Sequence, residues 1–305
     1  MSPEKHATLY AGLLEFYCVY MPARGLTKKT REEYQRDAEQ LIEYVQPYGL
    51  TYWHQVSEEH LLGYLAELTN KGFKASTRRR KIYALKTLFR FLHEYGYAAE
   101  GAADKLIPPK TEKRDPRFLA EDEYQALLAQ ADNSRDQAII MLFLQTGIRL
   151  SELVAMSVQD IQFPKQVSSN PEDVGFVYVQ RQGTKEGQLP LNYKVCRALI
   201  DWLKERQQIL EKKATTEDAV FLNKYGTRIS ARSIQRLITK YITMTGIQNA
   251  STQTLRHTMA THYLAKGGDL RSVQGLLGHE SITTTQQYLS LAQKVRQRMV
   301  QVLAL

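Results

Sequence analysis

Apolar positions recur at helical spacing through most of the chain. From about Lys5 to Tyr20, residues Leu9, Leu13, Phe16, Tyr17 and Tyr20 share one side, and Pro22 and Gly25 break the pattern. Thr27 or Thr30 can cap a second helix, with Glu33 three residues after Thr30 as in a capping box. This helix carries Tyr34, Leu41, Ile42 and Val45 and ends at Pro47 and Gly49. Ser57 starts a third helix through Leu61, Leu62, Leu65 and Leu68 that stops near Gly72. Ser76 opens a fourth, with Ile82, Leu85, Leu88, Phe89 and Leu92 on one face. The pattern then lapses. Residues 101–117 hold Pro108, Pro109 and Pro116 among several lysines and arginines and read as a stiff, basic linker.

Beyond the linker the period predicts helices near 121–131, 136–145, 151–156, 193–212, 230–244, 254–266 and 269–277, and a last one from about Leu291 to the end. Gly175 to Gln180 alternates like a strand, and Gln188 to Leu191 is the candidate for its hairpin partner. The fold class expected is therefore mainly α. A four-helix domain over residues 1–100 precedes a mostly helical domain over residues 118–305 with a small antiparallel β-sheet.

Composition narrows the function classes. With 43% hydrophobic and 24% charged residues, the chain is an ordinary globular protein and not a disordered one. Cys18 and Cys196 are its only cysteines and lie far apart, which argues against a disulfide framework or a structural zinc site. No apolar run approaches the roughly 20 residues that span a bilayer, and Met1 to Tyr10 lacks the apolar centre of a signal peptide. A cytoplasmic location is expected. The net charge of +9 favours a polyanionic partner, and the excess is spread over both halves instead of being gathered in a tail. On the fourth helix Arg79, Tyr83, Lys86 and Arg90 lie opposite the apolar face. Such a face is either simply solvated or laid against DNA phosphates or in a major groove.

The candidate chemistry lies in four segments: Thr146 to Leu153 (TGIRLSEL), Thr254 to Thr261 (TLRHTMAT), Leu276 to Glu280 (LLGHE) and Thr284 to Tyr288 (TTQQY). Each is weak alone, because arginine and tyrosine are common in this chain. In this order they resemble the tyrosine recombinase, or phage integrase, family, and the compact two-domain layout is most similar to its Xer and transposon-integrase members. The resemblance implies an N-terminal core-binding, SAM-like domain and a C-terminal catalytic domain that together clamp double-stranded DNA at inverted-repeat sites. It implies a homotetramer or heterotetramer in the synaptic complex, with the C-terminal helix docked on a neighbouring subunit, and an enzyme associated with the nucleoid. By motif position Arg149 and Arg256 match the two catalytic arginines, Glu152 the acidic residue one turn after the first, His279 the histidine of the Leu-Gly-His element, and Tyr288 the nucleophile.

These residue types suit phosphoryl transfer. Guanidiniums stay charged and grip phosphate oxygens bidentately, and fixed cations dominate catalysis of such displacements. Tyrosine makes the covalent intermediate. In the family that intermediate is a 3′-phosphotyrosine with a free 5′-hydroxyl, and it retains the bond energy, so rejoining needs no ATP, metal or other cofactor. Two positions depart from the family pattern. Gln253 stands where a histidine or lysine is usual, and glutamine can donate a hydrogen bond but carries no titrating proton. Counting back from Pro190 to the usual hairpin lysine lands on Gln182, while the hairpin's lysine is Lys185; a shortened turn would bring Lys185 into the general-acid role. His257 and His262, in similar surroundings, read as structural. The alternative to an active enzyme is an impaired DNA-binding accessory protein on the same fold, which these two departures would suit.

Overall fold

The computed structural model describes residues 7–111, 115–181 and 186–303. The chain divides into two compact units, residues 1–113 and 114–305. Among the described residues no helix is long and apolar enough to cross a membrane.

The first unit is helical throughout. Helix α1 (Leu9–Glu15), capped by the Thr8 side chain, runs through a π-helical turn at Phe16–Tyr20 into the short α2 (Met21–Ala23). Then follow α3 (Lys28–Val45), α4 (Glu58–Asn70) and α5 (Ala75–Glu94). Thr27, and not Thr30, caps α3, accepting from the backbone N–H of Thr30 at 3.2 Å. The apolar stripes meet in one core that includes Phe16, Ile42, Trp53, Leu61, Leu88 and Phe91. One basic residue of α5 is not on the outer face. Lys81 is buried and donates to Asp37 of α3 at 2.7 Å, and Arg80 donates to the same carboxylate at 3.1 Å. A buried charge is tolerable only when paired in this way. Ala103 and Leu106, from the expected linker, are buried in the same core.

The second unit holds α6 (Glu121–Ala129), α7 (Ser134–Thr146), α8 (Leu150–Ala155), strands β1 (Ile161–Gln162), β2 (Gly175–Gln180) and β3 (Glu186–Leu191), α9 (Tyr193–Lys213), α10 (Ala231–Met244), α11 (Thr252–Ala265), α12 (Leu270–Leu277) and α13 (Ile282–Leu303). The sheet is antiparallel in the order β1-β2-β3, with Val177 opposite Leu189 and Phe176 opposite Pro190. Val177, Val179, Leu189 and Leu191 face the core, as alternation requires.

Helix α11 organises this unit because it is buried on almost every side, with polar Thr254, Arg256, Thr258, Thr261 and His262 enclosed beside its apolar residues. Leu255 belongs to the large core around Phe143, Trp202 and Tyr241. Met259, Ala260 and Leu264 belong to a second core completed by Leu277 and by Tyr288, Leu291, Ala292 and Val295 of α13. The last helix therefore starts well before Leu291. Thr285, Tyr288, Leu291, Ala292 and Val295 form one continuous buried stripe, so the nucleophile candidate and the C-terminal segment share a single helix.

Candidate active site

Two helix ends build the cationic part of the site. The last carbonyls of a helix lack intrahelical donors and carry the negative end of its dipole. Arg256, on α11, donates to the carbonyl of Gly147, which ends α7, and to that of Leu277, the last residue of α12. Arg181, just after β2, donates to Gly275 and Leu276, each at 2.7 Å. Arg149, at the N-cap of α8, donates to Gly278 at 2.6 Å. The end of α12 is thus held by three guanidiniums at once. Both helices stop on a left-handed glycine, Gly147 at φ +62° and Gly278 at φ +58°. A Cβ on Gly278 would fall 2.7 Å from the Arg181 guanidinium, and one on Gly147 would fall 2.4 Å from the end of the Met259 side chain. The glycine in Leu-Gly-His therefore supplies both the turn and the room for an arginine.

Glu152 sets the orientation of this cluster. Its carboxylate accepts from the backbone N–H and the guanidinium of Arg149, both at 2.8 Å, and from Arg181 at 3.3 Å. Three guanidiniums around one carboxylate leave positive charge in excess, which an anion can complete. Arg149 is the more open to solvent, with 37% of its side chain exposed against 13% for Arg181. Arg256 is buried, and burial first and Arg149 second bring its pKa down to about 10, so it remains charged at neutral pH.

Tyr288 lies against two histidines. Its hydroxyl is 2.8 Å from Nδ1 of His257, the residue after Arg256. The His279 ring lies nearly parallel to the Tyr288 ring, with centroids 6.4 Å apart, and its Nδ1 is 2.9 Å from the Thr285 hydroxyl. Tyr288 is 1% exposed. Burial pushes its phenol pKa up, and the Arg256 charge pulls the other way. His257 is brought down to about 4 by burial and then by Arg256. His279 is brought down to about 4 by burial, then by Arg256, Arg149, His257 and Arg181. At neutral pH the phenol keeps its proton and both imidazoles are neutral beside fixed cations.

Comparison with known proteins fits this geometry. Residues 117–294 match the model of the phage integrase family, and residues 14–96 match that of the phage integrase N-terminal SAM-like domain. Tyrosine recombinase XerC of Natranaerobius thermophilus is 36% identical over 290 residues, covering 92% of this chain and 94% of the relative. The chain belongs to the tyrosine recombinase family. Tyrosine recombinase XerD of Oceanobacillus iheyensis is 31% identical over 280 residues, covering 90% of this chain and 91% of its own. Among solved structures, a lambda integrase tetramer bound to a Holliday junction matches with a TM-score of 0.71 at 19% identity, covering 93% of this chain and 78% of that one. XerH bound to a palindromic difH substrate matches at 0.70 and 18% identity, covering 97% and 85%. At such identities these two structures show the shared fold. The chain is thus a Xer-like site-specific enzyme that acts on DNA by cleavage and rejoining.

Within the recombinase, Arg149, Glu152, Arg256, His279 and Tyr288 converge from α8, α11, α13 and the loop after α12. Gln253 sits on the first turn of α11, exposed. It does not cap that helix: the N-terminal turn is closed by Thr254, whose hydroxyl accepts from the backbone N–H of Ser251 at 3.0 Å. Gln182 and Lys185 lie outside the described residues. Two site residues escaped the sequence reading. Arg181 was anonymous because nothing in sequence ties it to helix ends about 95 residues away. His257 read as structural because its partner stands 31 residues further on. Its position beside Arg256 was the one available signal. His262 Nε2 donates to the Leu119 carbonyl at 2.8 Å, since a carbonyl only accepts.

Proposed function

We propose that Tyr288 attacks a phosphodiester of double-stranded DNA, giving a 3′-phosphotyrosine and a free 5′-hydroxyl that later rejoins to a new partner strand without metal or ATP. The observation that carries this reading is the set of guanidiniums fixed by helix-end carbonyls and Glu152, with Arg256 close enough for its charge to act on the Tyr288 phenol. Arg149 and Arg256 hold the non-bridging oxygens and stabilise the charge that builds on them. Arg181 locks the end of α12 that supports both. Gln253, exposed and three residues before Arg256, donates a hydrogen bond to a phosphate oxygen. Lys185, four residues after Arg181 in the sequence, protonates the leaving 5′ oxygen.

The target is a pair of inverted-repeat sites, bound on the nucleoid in the cytoplasm. Exchange takes place in a tetramer, of this chain alone or with a partner recombinase, as in the lambda integrase tetramer on a Holliday junction. Leu291, Ala292 and Val295 pack within the same chain, so any segment docked on a neighbour lies beyond Val295. A nicked suicide substrate tests the central claim. Wild type should form a denaturant-resistant protein–DNA adduct and Tyr288→Phe none; an adduct from the Phe variant would refute it.

A further inference from the structure

We propose that His257 is the catalytic base of this recombinase, taking the Tyr288 proton during cleavage and returning it during rejoining. The inference rests on Tyr288 being the nucleophile. It starts from an absence: Gln253 has no group that can accept a proton at neutral pH, so the proton must go elsewhere.

Among the described residues one acceptor meets the hydroxyl. Nδ1 of His257 lies 2.8 Å from it, within the range for direct proton transfer. The neighbouring Gln287 donates its amide to the Thr284 carbonyl at 2.7 Å, and an amide cannot take the proton. His279 is engaged through Nδ1 with Thr285, and its ring centroid stands 6.4 Å from that of Tyr288. Glu152 is committed to Arg149 and Arg181. A base needs a free lone pair before the reaction, and burial together with Arg256 keeps the His257 imidazole unprotonated at neutral pH. Nδ1 then accepts from the phenol while Nε2 carries the ring proton.

The step balances without any further reactant. The Tyr288 O–H bond breaks and its proton joins the Nδ1 lone pair. The freed oxygen pair attacks phosphorus, and the bond to the 5′ oxygen breaks. That oxygen leaves with its electron pair and takes a proton from the general acid, Lys185 in the reading above. In rejoining the 5′ hydroxyl gives its proton back to the deprotonated general acid as its oxygen attacks the phosphotyrosine, and the imidazolium returns its own proton to the departing phenolate. The charged group acting on the His257 ring is Arg256, beside it on α11; the Tyr288 hydroxyl of α13 bonds it, and Arg149 and Arg181 act on the neighbouring His279. The phosphate that binds these arginines offsets their repulsion, so His257 becomes a better base when substrate arrives.

Single-turnover cleavage of a nicked suicide substrate by the full chain tests this. His257→Ala should slow adduct formation about 100-fold or more with DNA affinity unchanged. His257→Gln, which keeps a hydrogen-bond acceptor and guards against a misfolded Ala variant, should be as slow. Without a base the phenol must ionise by itself, so the ratio of wild-type to variant rate should shrink about tenfold per pH unit from 7 to 9. A folded Gln variant that cleaves at the wild-type rate or faster overturns the proposal, and faster cleavage would mean that the His257 contact holds Tyr288 back. A ratio that stays constant with pH also overturns it. An adduct from Tyr288→Phe would instead defeat the nucleophile assignment beneath it.

Discussion

Arginine is used in two opposite ways in the two units. On α5 of the first, Arg90 and Arg79 are exposed, and their charge is free to meet phosphates wherever DNA lies. In the second, Arg181 and Arg256 are almost enclosed, and every guanidinium of the site, Arg149 included, is bound to a carbonyl at the end of α7 or α12. An exposed cation costs nothing to desolvate, but it is screened and mobile. An enclosed one is costly to bury and is retained only where fixed geometry matters. The first arrangement suits affinity, and the second suits stabilising charge that develops at one point.

The largest effects should come from the enclosed set. Arg256→Ala and Arg149→Ala should each lower single-turnover cleavage by about 100- to 1,000-fold, the usual loss when one preorganised donor to a developing oxyanion is removed. Binding to DNA should change far less. Arg256→Lys should recover little, because one ammonium cannot bridge two carbonyls and grip a phosphate as well. A Lys variant near wild-type rate would reduce the site to a bulk charge effect and dissolve the contrast between the units.

Gln253 tests the contrast from a middle position, since it is exposed like the α5 residues yet set on the helix that carries Arg256. A hydrogen bond to a charged group contributes about 1.5–3 kcal/mol, so Gln253→Ala should cost about 10- to 150-fold in cleavage. Gln253→His should match or exceed wild type. Thr254 already closes the N-terminal turn, so thermal stability should not move in either variant. A drop in melting temperature with an unchanged rate would assign Gln253 to the fold instead.

Acid should distinguish the units by stability. His257 and His279 titrate near 4 in the folded protein and near 6.5 when unfolded. As pH falls from 6.5 to 4 the unfolded chain binds protons that the folded chain refuses, so stability is full above 6.5 and is lost across that window. The melting transition of the second unit should therefore drop over this range, and a double His257→Gln, His279→Gln variant should lose less. An equal drop in the first unit would trace the loss to general acid effects.

Much of this was legible in the sequence, and what was hidden shares one cause. The helices showed because each buries a stripe long enough to reveal its period, and β2 showed because six residues alternate. Strand β1 has two residues and no pattern to read. Lys81 carried no signal along the chain, since its pairing with Asp37 is a contact 44 residues distant. Arg181 and His257 were missed in the same way. Arg149, Arg256, His279 and Tyr288 stood out because their neighbours along the chain are distinctive. Arg181 and His257 are defined by what they meet across the fold, which local pattern does not record. The beginning of α13 was a different case. Its stripe from Thr285 to Val295 was present, but three threonines and two glutamines before Tyr288 masked the period.

The smallest effect should be on α5, where the exposed set is tested directly. Its four outward residues are not equivalent. Arg79 donates to the Thr111 hydroxyl at 3.3 Å and lies 5.8 Å over the Tyr83 ring, and Lys86 donates to the Asp104 carbonyl at 3.1 Å. These contacts occupy one donor each and leave both charges unneutralised. Arg90 is exposed and makes no ion pair among the described residues. If this face lies on phosphates, each charge displaces condensed counterions, so Arg79→Ala, Lys86→Ala and Arg90→Ala should each make the salt dependence of DNA affinity shallower by about one unit of slope. Over a fourfold rise in salt, that amounts to only about 3- to 4-fold in affinity per residue. The rate of adduct formation at saturating DNA should not change, because none of these side chains reaches the reacting atoms. Tyr83→Phe should alter neither quantity, since it removes no cationic side chain from the face. A triple α5 variant with an unchanged salt slope would mean that the face is merely solvated. A triple variant that lost catalytic rate at saturation would mean that affinity and chemistry are not divided between the two kinds of arginine.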